Sequence, residues 1–101
     1  MPNNESSGAT PVSAASRTVT IRNQRGLHAR AAAKFVKLAG QFLAEVTVIK
    51  GDMNVAGTSI MGLMMLAAGP GCDIELRATG AQAREVVAAL SELVERRFDE
   101  D

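Results

Sequence analysis

The 101-residue sequence contains no tryptophan and no tyrosine. Its core must therefore be built from aliphatic side chains, with methionine as filler. Cys72 is the sole cysteine, so no intramolecular disulfide can form and nothing argues for an oxidising compartment. It is expected to be a small buried apolar group. No run approaches the roughly 18 apolar residues that span a bilayer, and the N-terminus lacks the charged-then-apolar order of a secretory leader. Zinc-type spacings and internal repeats are absent. The expectation is a cytoplasmic chain without membrane insertion, metal or cofactor.

The chain also lacks net charge, but the charge is unevenly spread. Between Ser6 and Ala44 no acid occurs, while Arg17, Arg22, Arg25, Arg30, Lys34 and Lys37 all do; the acids come later and end in Asp99-Glu100-Asp101. Such a basic segment can steer an anionic group or an acidic partner. Taken alone it reads better as a solvated surface, because such runs are common.

What remains is one small domain's worth of pattern. Residues 1–16 are rich in Ser, Asn, Ala and Pro without apolar periodicity and are expected to be a flexible tail, leaving 17–101 as the domain. Thr18-Val19-Thr20-Ile21-Arg22 alternates at period two, the mark of a half-buried strand. Asn23-Gln24-Arg25-Gly26 supplies turn chemistry, and Ala29 to Ala39 is dense in helix formers, with Gly40 as its stop. Ala44 to Val48 alternates again, and Gly51-Asp52 predicts a hairpin into a short strand over Met53 to Ala56. Ser59 precedes a short apolar helix over Ile60 to Leu66, interrupted by Gly62 and closed by Gly69-Pro70-Gly71. Asp73 to Ala78 forms a last strand with Ile74 and Leu76 inward. A final helix over Ala81 to Phe98 carries Val86, Val87, Leu90, Leu93, Val94 and Phe98 along one stripe. The order βαββαβα, with one-sided strands, predicts an α+β open-faced β-sandwich: a four-stranded antiparallel sheet covered on one face by three helices.

His28 is the only histidine, and it stands at the start of the first helix. A lone histidine there is more often an adventitious surface residue than a reactive one. Its surroundings change that weighting. A helix N-terminus offers unpaired N–H groups and the positive end of the macrodipole, both of which favour an anion. Arg30 lies in the first turn, and its planar fork suits phosphate oxygens. Imidazole is a nucleophile near neutral pH without an activating base, so the absence of a nearby acid is no obstacle.

Gly26-Leu27-His28-Ala29-Arg30-Ala31-Ala32 closely resembles the active-site motif of the HPr family, phosphocarriers of the bacterial phosphoenolpyruvate-dependent phosphotransferase system. Ser59-Ile60-Met61-Gly62-Leu63-Met64 resembles the family's regulatory serine and the short helix after it. With the matching element order, the resemblance covers residues 17 to 98. It implies that His28 is phosphorylated through Nδ1 and that Arg30 is its phosphate partner. Enzyme I would donate the phosphoryl group from phosphoenolpyruvate, and enzyme IIA proteins would receive it. The protein would be a covalent relay and not a self-standing catalyst, working as a monomer without nucleic acid. Where the family usually has proline, this chain has Ala31, which restores a backbone N–H; transfer is expected to survive the difference.

From sequence alone, Ser59 is a helix N-cap. The resemblance adds phosphorylation by HPr kinase/phosphorylase, although Gly57-Thr58 stands where a lysine commonly precedes the serine. A phosphate there would alter the surface without unfolding the helix. Leu63 and Leu66 are core candidates, whereas Ile60, Met61, Met64 and Met65 are too many for one narrow stripe, so some should face solvent. Adaptable methionines suit docking on several partners, and Lys34 and Lys37 are expected to border that patch. Two functions remain in contention: a phosphoryl relay, serving sugar uptake or a nitrogen-related branch, and a regulatory binding module that controls kinases or transcription factors by docking alone. The presence of a nucleophile favours the relay.

Overall fold

A computed structural model of the chain describes residues 13–100. The period-two segments become strands β1 (Ala14–Thr20), β2 (Glu45–Lys50), β3 (Met53–Ala56) and β4 (Asp73–Thr79), and the helix formers become α1 (Ala29–Ala39), α2 (Ile60–Met65) and α3 (Ala83–Glu95). A single 3-10 turn, Arg97–Asp99, follows α3. The strands lie in the order β1-β4-β2-β3, every neighbouring pair antiparallel. The open-faced sandwich expected from the pattern is the architecture observed.

One face of the sheet is dry because its inward residues alternate with polar ones: Val19, Val46, Val48, Ile74, Leu76 and Ala78 are buried. They meet Phe35 of α1, Leu63 of α2, and Val86, Leu90 and Val94 of α3, all fully buried. Each such side chain contributes about 1.5–3 kcal/mol of gross hydrophobic stabilisation. As expected of a chain without Trp or Tyr, aliphatic residues dominate this core, with Phe35 and Phe98 as its aromatic exceptions.

Several boundaries differ from the expectation, each for a physical reason. The ladder begins earlier than residue 17, since Ala14, Ala15 and Ser16 pair with Thr79, Ala78 and Arg77. Strand pairing uses backbone groups and needs no apolar period. Residues 1–12 of the expected tail lie outside the described residues. Gly62 does not interrupt α2; a Cβ there would come within 3.0 Å of Val55 Cβ and of Ser59 Oγ, so glycine lets the helix sit close to β3. That helix ends at Met65 and Leu66, before the glycine-proline run, with Ala67 at a left-handed φ of 52°. Gly40 caps α1 as expected, yet in the right-handed region at φ −69°. Cys72 is half-buried at the core's margin. The last helix stops at Glu95, because Arg97, Phe98 and Asp99 all take positive φ (62°, 54° and 61°).

Candidate functional site

His28 is the N-cap of α1. Its backbone is extended, and its carbonyl accepts the first helical bond, from the Ala32 N–H at 2.9 Å. The side chain makes no capping bond. The N–H groups of Ala29, Arg30 and Ala31 therefore have no acceptor within the helix, and no acid stands in its first turn. The positive end of α1 is left without a counter-charge from its own sequence.

The turn before His28 is locked from two sides. Gly26 donates to the Asn23 carbonyl at 3.2 Å, and Asn23 Nδ2 donates to the Gly26 carbonyl at 2.9 Å. Leu27 N–H reaches across to the Ala68 carbonyl at 3.0 Å, which ties the turn to the segment after α2. Gly26 has φ +62°, and a Cβ on it would lie 2.2 Å from Ala68 O. Only glycine fits that approach.

The structure corrects one expectation outright: an acid does stand beside the histidine. His28 Nε2 is 2.5 Å from Glu100 Oε2, and the two side chains are only 15% and 17% exposed. The second carboxylate oxygen, Oε1, accepts from Asn23 Nδ2 at 3.0 Å. Partial burial pushes the Glu100 carboxyl up, but the hydrogen bonds from Asn23 and His28, with the charges of His28 and Arg25, more than reverse this and hold it below its ordinary value. Asn23 is fully buried, and its Oδ1 has no protein partner among the described residues. Neither Asn23 nor Glu100 was a candidate from sequence. Asn23 had only its turn propensity, and Glu100 belongs to a terminal acid run that reads as solvated.

Around this pair the cations gather. Arg30 is exposed and lines a surface hollow with Gln24, Arg25, Lys34, Asp99 and Glu100. A second hollow, lined by Arg25, Leu27, His28, Met64, Ala67, Ala68 and Gly69, joins the histidine to the end of α2. Lys34 and Lys37 are engaged at the end of the chain that follows α3. Lys34 Nζ donates to Phe98 O at 2.7 Å, and both lysines line a hollow with Leu93, Arg96 and Asp99. They border the C-terminal turn, and the methionines are not among those lining residues. On α2, Ser59 caps as expected, its Oγ accepting from the Gly62 N–H at 2.9 Å. Leu63 and Leu66 are buried, while Ile60, Met61, Met64 and Met65 are exposed, Met61 to 72% and Met65 to 66%. Among the described residues no group of three or more His, Cys, Asp or Glu side chains could hold a metal ion, and no helix is long and apolar enough to cross a membrane.

An open-faced sandwich that presents a histidine at a helix N-terminus, with arginines and an apolar α2 surface alongside, has the make-up of a small carrier of an anionic group. Comparison with known proteins agrees. A family described as the PTS HPr component phosphorylation site matches residues 15–96. The chain is 51% identical over 83 residues to the phosphocarrier protein HPr of Neisseria meningitidis serogroup A, covering 82% of this chain and 93% of that one. It is 44% identical over 84 residues to the phosphocarrier protein NPr of Shewanella violacea, covering 83% and 92% respectively. Among solved structures, HPr-C-His of Thermoanaerobacter tengcongensis superposes with a TM-score of 0.82 at 39% identity, covering 86% of this chain and 98% of that one. The chain belongs to the HPr family of phosphotransferase-system phosphocarriers.

Proposed function

We propose that His28 is the residue that carries the phosphoryl group, accepting it from phosphorylated enzyme I and passing it to enzyme IIA proteins. The observation that supports this most directly is the state of the imidazole. One ring nitrogen, Nε2, is engaged by Glu100, and the other makes no capping bond at the end of a helix that lacks any acid in its first turn. A phosphoryl group on Nδ1 would meet the unpaired N–H groups and positive dipole end of α1. Arg30, with Arg25 close by, supplies guanidinium groups for the phosphoryl oxygens. The transfer needs little covalent chemistry from the protein itself; position and charge carry most of it.

The exposed Ile60, Met61, Met64 and Met65 form the docking face in this reading, with Lys34 and Lys37 at the other flank of α1. Ser59 is a regulatory phosphorylation site. Its hydroxyl already occupies the N-cap, so phosphate oxygens could accept the same helical N–H groups while adding charge beside the docking face. The work is done in the cytoplasm.

Incubation with enzyme I and labelled phosphoenolpyruvate tests the central claim. The expected result is acid-labile label on the wild-type chain and none on His28→Ala. If the wild-type chain takes up no label, the relay is excluded and the regulatory binding module becomes the better reading.

A further inference from the structure

Side chains that oxidants attack are few in this chain, and their placement is uneven. There is no tryptophan or tyrosine, and Cys72 is half-buried at the core's margin. Of the five methionines, Met53, Met61, Met64 and Met65 fall among the described residues, and none of them belongs to the core. All four are exposed: Met61 to 72%, Met65 to 66%, Met64 to 41% and Met53 to 40%. The interior is filled by Val, Leu, Ile, Ala and Phe instead, so methionine is not the core filler that the composition suggested.

Three of these sulfurs share one helix. Met61, Met64 and Met65 stand at i, i+3 and i+4 on α2, a spacing that sets them side by side, while Leu63 and Leu66 are buried. Met64 also lines the hollow that contains His28. The face proposed above as the dock for enzyme I is thus also where a two-electron oxidant meets the most accessible thioethers. We infer that Met61, Met64 and Met65 are sites of reversible oxidation to the sulfoxide and that the oxidised face docks poorly on enzyme I, a role that rests on the docking reading of α2.

Hydrogen peroxide balances the step. A lone pair on sulfur attacks one peroxide oxygen, the O–O bond breaks, and a proton passes to the departing oxygen, which leaves as water. Sulfur is oxidised by two electrons and the peroxide is reduced by two. A thiol-dependent reductase reverses the change: two thiols become a disulfide, and the sulfoxide oxygen leaves as water. The sulfoxide is a polar, chiral side chain in place of a flexible apolar one. Its oxygen, buried without a donor at an apolar contact, costs a factor of about ten or more in affinity. Sulfoxides in a core disrupt packing, but among the described residues the core holds no methionine. The fold and the groups of His28 and Arg30 are therefore left intact, and only docking is weakened.

The test treats the full chain with hydrogen peroxide and removes the peroxide with catalase before enzyme I and labelled phosphoenolpyruvate are added. Peptide mass spectrometry should find an added oxygen first on Met61 and Met65, the most exposed, and later on Met64. The KM of the oxidised chain for labelling by enzyme I should rise about tenfold or more, with kcat and the urea midpoint unchanged, and methionine sulfoxide reductase should restore it. In a chain carrying Met61→Leu, Met64→Leu and Met65→Leu, peroxide should not move whatever KM that variant starts from. In Cys72→Ala it should act as in the wild type. Methionines that resist peroxide able to oxidise free methionine, or an unchanged KM with all three as sulfoxides, would each overturn the inference. So would a peroxide effect that survives the leucine substitutions or vanishes in Cys72→Ala, or a lowered urea midpoint. Met61→Glu, untreated, tests the docking reading separately. Labelling at the wild-type KM would overturn that reading, whereas a raised KM in Met61→Glu beside an unaffected oxidised chain would overturn the oxidation inference alone.

Discussion

A methyl group added to Gly26 would sit 2.2 Å from the Ala68 carbonyl oxygen, on a backbone already at φ +62°. Gly26→Ala should therefore cost about 2–4 kcal/mol of stability in urea unfolding, and it should slow labelling of His28 by moving the turn that carries it. An unchanged unfolding midpoint would mean that the turn is looser than its hydrogen bonds imply. At Ser59 the accounts of cap and regulator diverge usefully. Ser59→Ala loses the bond to Gly62 N–H and should destabilise by about 1 kcal/mol. Ser59→Asp keeps an N-cap acceptor and should unfold at nearly the wild-type midpoint while weakening docking of enzyme I. Ala31 is the third residue of α1 and is fully buried. Proline there removes an N–H with no helical acceptor, so Ala31→Pro should alter the labelling rate by less than about tenfold. A gain of orders of magnitude would show that the proline ring itself is needed.

At the scale of elements, the turn after α3 is where the hydrophobic stripe and the backbone disagree. Continuing α3 as a right-handed helix would have carried Phe98 along the same stripe; instead the chain reverses hand and buries Phe98 completely. Truncating that plug removes what offsets the strain. Phe98→Ala should cost about 3–5 kcal/mol, and in the molecules still folded it should also shift the imidazole resonances of His28, because Glu100 is no longer delivered. Unshifted resonances would mean that Asn23 alone can hold the carboxylate. The helix pattern over Ala83–Glu95 was legible from its period, as was the strand alternation. The left-handed turn was not, since Arg97 and Phe98 have no leaning toward positive φ and Asp99 alone is of a type that visits it.

For the whole molecule, the Glu100 contact links the C-terminus to the first helix, so it should register in global stability. The folded carboxyl lies below its ordinary value. The unfolded chain then binds more protons over that interval, and stability rises with pH through it. The contribution is complete above the unfolded pKa and is lost as the pH falls through the folded one. Thermal unfolding between about pH 3 and 6 should show the wild type losing its advantage over Glu100→Gln as the medium becomes acid. A constant difference across that range would place the stabilising effect elsewhere.

Sequence by itself determined the element order, the buried faces and the two residues, His28 and Ser59, that stand at helix starts, because periodicity and capping are settled by neighbours a few positions apart. It placed Lys34 and Lys37 on α1 but did not show the Phe98 carbonyl that Lys34 holds. Tertiary structure alone decided that the acid-free segment would acquire an acid, since His28 and Glu100 are separated by 72 positions and meet only when Phe98 enters the core. Nothing local to either residue encodes that meeting. It follows from the packing of α3 against the sheet, the reversal of hand at Arg97–Asp99 and the buried amide of Asn23 that receives the carboxylate.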